Sequence, residues 1–277
     1  QTLKDTIEKL DQYDQVFITD LAINKIVIDL VMSSPDPKKF HIFDHHKIRE
    51  DIETLPENFC VTQDSPKYPG KPTCGTELYY WFLKHDPVFA MIEASVPEGA
   101  LHNMSHFVNV VRIYDTYEFW KERHSEEAKN DIAMSDAERL NTLFHVLDRS
   151  TFEDYIKSYF KGDIEWMHLT VSTEKYPWVG ERINYEMDRN TRYVEAAMKR
   201  VLITPFQVKV FRDGILYDFN YKCGVVFAER NGPMIGNNVC ETNPNLDFCA
   251  VVSNNQVSFY TVKPEVDVSV IARALGG

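Results

Sequence analysis

An α/β architecture is predicted by three features of this 277-residue chain. Amphipathic and apolar segments alternate through the first fifty residues in the order helix, strand, helix, strand, the pattern of parallel βαβ units. Three segments end in aspartates, Asp20, Asp44 and Asp115, and Asp44 is followed by His45 and His46. Polar ligands gathered at element ends match the way an α/β fold builds a site outside the carboxyl edge of its sheet. From about residue 204 the texture changes to short β-branched and aromatic runs, which predicts a smaller α+β domain.

Taken in order, Leu3, Ile7 and Leu10 recur at helical spacing within Thr2–Tyr13, and the strand-like run Val16-Phe17-Ile18-Thr19 then ends in Asp20. A helix over Ile23–Met32 is stopped by Ser33-Ser34-Pro35, and the apolar run Phe40-His41-Ile42-Phe43 leads into Asp44, so the sheet is expected to be parallel and doubly wound. Residues 50–72, rich in Pro, Asp and Lys, read as a long loop closed by Gly75-Thr76 at the start of a helix through Leu83. A second irregular zone is expected over 93–103, followed by a helical region with Asp115 near its end or in the next turn. Residues 133–166 read as helical, with Leu140, Leu143, Phe144 and Leu147 spaced for one face. A long charged helix over 181–201, free of Pro and Gly, reads as a connector. Strands are predicted over 206–211, 215–221, 225–228, 248–252 and 257–262, with turns at Asp213-Gly214 and Asn254-Asn255.

The net charge of -12 argues against holding nucleic acid on a broad basic surface, because that mode needs many Lys and Arg to neutralise phosphates. Bound divalent cations can supply local positive charge instead, and the carboxylates that hold them add to the negative count. No apolar run approaches the roughly 20 residues of a membrane span. The segment Gln1 to Leu10 is polar and amphipathic, unlike a signal peptide. Five cysteines without a CxxC pair indicate neither a zinc knuckle nor a disulfide scaffold, so a reducing, cytoplasmic setting is expected.

Asp44, His45 and His46 at the tip of a buried strand are costly to leave unpartnered, since polar groups leaving water must be paired or coordinated. Together with Asp20 and Asp115 they form an oxygen-rich set with imidazoles, which suits Mn²⁺ or Mg²⁺ better than structural zinc. Two-metal phosphoester hydrolysis needs such a set, with a carboxylate bridging ions roughly 3.5–4 Å apart. Simpler roles compete: Asp20 as a helix cap, Asp115 as a turn residue beside Tyr114, Tyr117 and Trp120. Lys47 and Arg49 are candidates for a substrate phosphate, or solvated surface residues. Gly75-Thr76 presents helix N–H groups to an anion or forms a plain helix start. Tyr79, Tyr80, Trp81 and Phe82 read as core, with one ring able to stack on a base. Asn237 and Asn238 are candidates for substrate contact, with a turn as the competing role. His41, His85, His102, His106, His124, His145 and His168 lack companion ligands and read as structural or surface residues.

The strings FITDLAIN around Asp20, FDHHK at 43–47, CGTELYYWFL at 74–83 and VRIYDTYEFW at 111–120 resemble the DHH phosphoesterase superfamily, near its RecJ-like exonucleases and nanoRNase or oligoribonuclease members. GVVFAERN at 224–231, GNNVCE at 236–241 and VDVSVIARALGG at 266–277 resemble that family's DHH-associated substrate domain. The resemblance implies a DHH domain over 1–175, a connecting helix over 176–203 and a substrate-binding domain over 204–277, with substrate in the cleft between the two domains. It implies that Asp20 bridges two ions, Mn²⁺ or Mg²⁺, and that His45 and Asp115 complete the sphere of one. His46 would face the scissile phosphate, and Asp44 would orient the histidines. Two departures stand out. No His/Asn-Asp-Asp-Gly motif precedes Asp20, and Gly276-Gly277 opens a glycine-rich signature without its histidine. The chain is therefore expected to be shorter than the natural protein at both ends, to hold one metal poorly and to hydrolyse slowly or not at all. Lys263 falls where relatives carry a phosphate-binding arginine and is the substrate-contact candidate there.

The resulting expectation is a Mn²⁺-dependent phosphodiesterase, an exonuclease of short single-stranded RNA or DNA. Hydrolysis of small or cyclic nucleotides is the enzymatic alternative, and a catalytically impaired protein that sequesters a nucleotide is the non-enzymatic one. No membrane partner is expected, and a homodimer only because such dimers are the commonest assembly.

Overall fold

The computed structural model describes residues 3–46, 52, 54–87, 91, 94–116, 118–212 and 214–276, without the side chains of Trp120 and Lys121. Lys47 and Arg49 lie outside the described residues. The chain divides into two compact units, Gln1–Ile183 and Asn184–Gly277.

In the first unit, strands β1 (Val16–Thr19), β2 (Phe40–Asp44) and β3 (Phe59–Val61) form a parallel sheet in that order, with Val16 opposite Phe40 and Ile42 opposite Phe59. Helix α1 (Leu3–Glu8) precedes the sheet, and α2 (Lys25–Met32) crosses from β1 to β2. Asn24 ends the connection by capping α2, its side-chain oxygen accepting from the Val27 N–H at 3.0 Å. Leu10, Ile23, Val27 and Val31 bury Phe40, Ile42 and Phe59 on one face. On the other face, helix α3 (Gly75–His85) lays Tyr79 and Phe82 against Phe43, with ring centroids 5.5 and 5.2 Å apart. These two layers fix β2, and with it the residues at its tip.

The sheet corrects two expectations. Its described strands run in sequential order, without the reversal of a doubly wound sheet, although helices cover both faces. Strand β3 lies inside the stretch expected to be a loop. Three residues, Phe-Cys-Val among prolines and polar residues, are too short to show a two-residue period, and pairing to β2 alone makes them a strand.

Helix α4 (Glu98–Asp115) corrects a third, because residues 98–103 were expected to be irregular. Gly99, His102 and Asn103 mimic a loop in composition, yet Asn103 is buried and donates through its amide to the Tyr159 and Ile164 carbonyls at 2.6 Å. Asp115 is the last residue of this helix, one of the two places expected for it. Short helices α5 (Glu118–Glu122) and α6 (Glu126–Lys129) follow, then α7 (Ile132–Val146) and α8 (Arg149–Phe160). The helical region expected over 133–166 thus breaks at Leu147, and Asp148 caps α8 by accepting from the Thr151 N–H at 3.0 Å. Leu140 and Leu143 on α7 are buried, but Phe144, expected on the same face, is 54% exposed.

Helix α9 (Val179–Met198) follows, with Val179 and Ile183 buried in the first unit and Val194 and Ala197 in the core of the second. The second unit is a four-stranded mixed sheet, β4 (Leu202–Arg212), β5 (Ile215–Phe227), β6 (Phe248–Val252) and β7 (Val257–Tyr260), in that order. Helix α10 (Gly232–Thr242) covers one face and α11 (Val268–Leu275) packs with Phe219 and Phe248. Pro205 is tolerated within β4 because that strand is an edge. The two runs expected at 215–221 and 225–228 are one continuous strand. Gly224 reads as a break but is a packing position, where a Cβ would stand 3.0 Å from Leu246 and 3.2 Å from Val239. The two units together make the protein α/β. Among the described residues, no helix is long and apolar enough to cross a membrane.

Candidate metal centre

The tips of β1 and β2 and the last turn of α4 bring Asp20, Asp44, His45, His46 and Asp115 together. One ligand atom from each of Asp20, Asp44, His45 and His46 lies within 4.8 Å of every other. His45 Nδ1 stands 3.5 Å from Asp20 Oδ1 and 3.7 Å from Asp115 Oδ2. His46 Nδ1 is 2.7 Å from Asp44 Oδ1 and 3.9 Å from Asp20 Oδ1. The two imidazoles stack at 4.6 Å. Side-chain exposure rises from 1% at Asp44 to 46% at Asp20 and 47% at His46, so the cluster is closed at its base and open at its mouth.

Two backbone features set this arrangement. Asp20 has a φ of 58°, the left-handed region that a residue other than glycine occupies at a cost of about 1 kcal/mol or more. Its N–H donates to the Phe43 carbonyl at 2.9 Å, tying the end of β1 to β2. Gly75 opens α3 directly against this turn, where a Cβ would fall 2.5 Å from Asp20 N and 2.7 Å from the Phe43 oxygen. Only a glycine lets the helix start approach so closely. Cys74 caps the same helix, its sulfur accepting from the Glu77 N–H, and burial pushes its thiol pKa up to about 12, which makes it unsuited to nucleophilic work. Helix α4 is pinned near its C-terminus by buried Arg112, which donates to Glu118 at 2.5 Å and to the Pro72 carbonyl at 3.2 Å. Asp115, one turn on, is held in place.

The residues fit a divalent cation. Atoms each about 2.1 Å from one ion stand roughly 3.0–3.5 Å apart across octahedral or tetrahedral angles, close to the spacing of His45 Nδ1 from Asp20 and Asp115. Among the described residues, His45 Nδ1 and Asp44 Oδ2 are buried without a hydrogen-bond partner, a need that a cation would meet. Every ion pair that Asp20, Asp44 and Asp115 make among the described residues is with His45 or His46. Burial first, and then the charge of Asp20, raises the pKa of Asp115 above the ordinary carboxylate range. For His46 burial is the largest influence and works downward. The hydrogen bond to Asp44 and the charges of Asp44, Asp20 and Asp115 outweigh it, so its pKa is raised. Asp44 engages Nδ1 of His46 and leaves Nε2 for another partner. Carboxylates and imidazoles in this number suit a hard or borderline divalent ion.

The remaining candidates lie on other elements. Asn237 and Asn238 lie on helix α10, which excludes the turn, and the Asn237 amide donates to the Pro233 carbonyl at 2.9 Å. Lys263 is paired with Asp247 at 2.8 Å. Tyr79 and Phe82 pack on the sheet and Tyr80 is buried, while Trp81 is partly exposed beside His85. Sequence alone does not reveal the close approach at Gly75, since glycine before a helix is common, nor a groove beside Asp115, whose walls read as ordinary helical core.

The first unit is thus an α/β layer with a candidate divalent-cation centre at the carboxyl edge of its parallel strands. No protein-family model matches the chain. The chain is 26% identical, over 96% of its length, to a curated protein named oligoribonuclease NrnB from Bacillus subtilis (strain 168), and spans 57% of that relative's length. A solved structure of an uncharacterized protein from Helicobacter pylori G27 aligns over 97% of this chain and 76% of its own, at 13% identity and a TM-score of 0.30, a likeness that carries no argument.

Proposed function

We propose that this chain carries the metal-binding core of a DHH-type phosphodiesterase that removes nucleotides from short single-stranded RNA or DNA, with Mn²⁺ or Mg²⁺ as its ion. The nearness of both Asp20 and Asp115 to His45 Nδ1, at 3.5 and 3.7 Å, carries the reading. The similarity to a protein named oligoribonuclease supports the substrate class. Asp20, His45 and Asp115 would hold the ion, and Asp20, the more exposed carboxylate, would also serve a second. Bound divalent ions supply an activated water and neutralise charge on the phosphoryl group. Asp44 accepts from Nδ1 of His46 and so aims Nε2 at the open mouth, where a protonated ring donates to a phosphate oxygen. Lys47 and Arg49 would contact the phosphate chain, and Asn237, Asn238 and Lys263 the substrate in the proposed substrate domain, with Lys263 leaving Asp247 to do so.

The test is incubation of the full-length protein with Mn²⁺ and labelled dinucleotides, a longer oligomer and cyclic dinucleotides, beside an Asp44→Ala control. Product from dinucleotides ahead of the others is expected. Preference for cyclic dinucleotides would move the substrate class to small nucleotides. Binding without product from any of them would leave a nucleotide-sequestering protein and remove the hydrolase reading.

A further inference from the structure

Beside Asp115 lies a groove of about 340 Å³ that the metal-centre chemistry does not use, walled by Phe107, Val111, Tyr114, Phe144 and Phe152. Its volume falls in the range of small-ligand sites. Asp115 belongs to both features, since it lines the groove and places Oδ2 3.7 Å from His45 Nδ1. Thr76, next to the glycine that touches Asp20, lines the same end. Phe144 stands edge-on to Phe152, with ring centroids 5.2 Å apart, and leaves 54% of its surface in water on a helix whose Leu140 and Leu143 are buried. Asn141 sits in the wall and donates to the Tyr114 hydroxyl at 2.9 Å, so away from Thr76 and Asp115 an amide and a phenol hydroxyl interrupt the apolar lining.

We propose that this groove seats the nucleobase of the nucleotide whose phosphate lies at the carboxylate and histidine cluster. The occupant follows from continuity and chemistry. One end of the groove is a cation site suited to phosphate, and the rest offers aromatic faces and one amide. A lipid chain or an apolar peptide side chain would bring nothing for the cluster end. A base supplies a π-face for Phe144 and polar edges for Asn141, while its own phosphate reaches the cluster. Because stacking serves every base, the groove confers a requirement for a base more than a choice among bases.

This inference rests on the proposed phosphodiesterase reading for the phosphate at the cluster, but its test reads binding and not turnover. Calorimetry with Mn²⁺ present compares adenosine 5′-monophosphate with ribose 5-phosphate, the same phosphate without a base, on the wild type, Phe144→Ala and Phe144→Leu. Phe144 is exposed, so both variants should fold. The wild type is expected to bind the nucleotide at least about 5-fold more tightly than the sugar phosphate, the lower end of one stacked base. Phe144→Ala should abolish that preference without changing the affinity for ribose 5-phosphate, and Phe144→Leu should restore only part of it. Equal binding of the two probes, binding of neither, or a preference that survives Phe144→Ala overturns the assignment. Failure of the phosphodiesterase reading would show differently, as ribose 5-phosphate binding indifferent to Mn²⁺ and no product from oligonucleotides.

Discussion

Gly75 and Asp20 meet so closely that the first turn of α3 and the tip of β1 form one rigid corner. A methyl group on residue 75 has no space at 2.5 Å from the Asp20 nitrogen. Gly75→Ala is therefore expected to lower stability by about 1–3 kcal/mol and to shift Asp20. Thermal unfolding should show the first effect, and a weakened Mn²⁺ affinity the second. Asp44→Asn makes a different expectation. The buried amide keeps the shape but no longer enforces the proton position on His46, and turnover should fall about 10- to 100-fold with unfolding nearly unchanged. Acid should weaken the centre as well. The folded-state pKa of Asp115 is raised by burial and by Asp20, so it keeps its proton above the ordinary carboxylate pKa near about 4. Mn²⁺ must displace that proton, and its affinity should fall as pH drops toward that value, with proton release on binding measurable by calorimetry in buffers of different ionisation enthalpy. The aspartates and histidines were legible in the sequence because strong ligands at the ends of apolar runs are anomalous by themselves. The left-handed turn at Asp20 was not, since it depends on what packs against it.

At the scale of elements, α4 delivers Asp115, and buried polar contacts along its length locate it. Asn103 near its start ties to the chain at 159 and 164, His106 pairs with Asp136 at 3.0 Å, and Arg112 joins Glu118, which also receives Lys71 at 2.9 Å. Burial is the largest influence on Glu118 and pushes its pKa up, but the hydrogen bonds from Arg112 and Lys71 outweigh it and the net shift is downward. A depressed folded pKa stabilises the fold above the unfolded-state value and is lost as pH falls through the folded one. Wild type should therefore exceed Glu118→Gln by about 3 kcal/mol at neutral pH, and the gap should shrink below about pH 4.5, as urea unfolding across pH 3–7 would show. Period and composition made β1, β2, α2, α3 and most of the second sheet readable. They failed at β3, at the first turn of α4 and across Gly224, where a short run, loop-like residues and a packing glycine take their structure from tertiary contacts. The groove was hidden for the same reason, because Phe144 shares its spacing with Leu140 and yet lies in solvent.

For the molecule as a whole, the cluster concentrates carboxylates in a chain of net charge -12, and holding them together without a cation is unfavourable. Metal should stabilise by mass action, by about 2.7 kcal/mol at 100 times the dissociation constant, and a chelator should reverse the gain. The most direct check on the centre is an anomalous difference map from crystals grown with Mn²⁺. A peak bonded to Asp20, His45 and Asp115, within about 2.0–2.4 Å of each ligand atom, is the expected result. Full Mn²⁺ occupancy elsewhere, with these three side chains left unbridged, would contradict it.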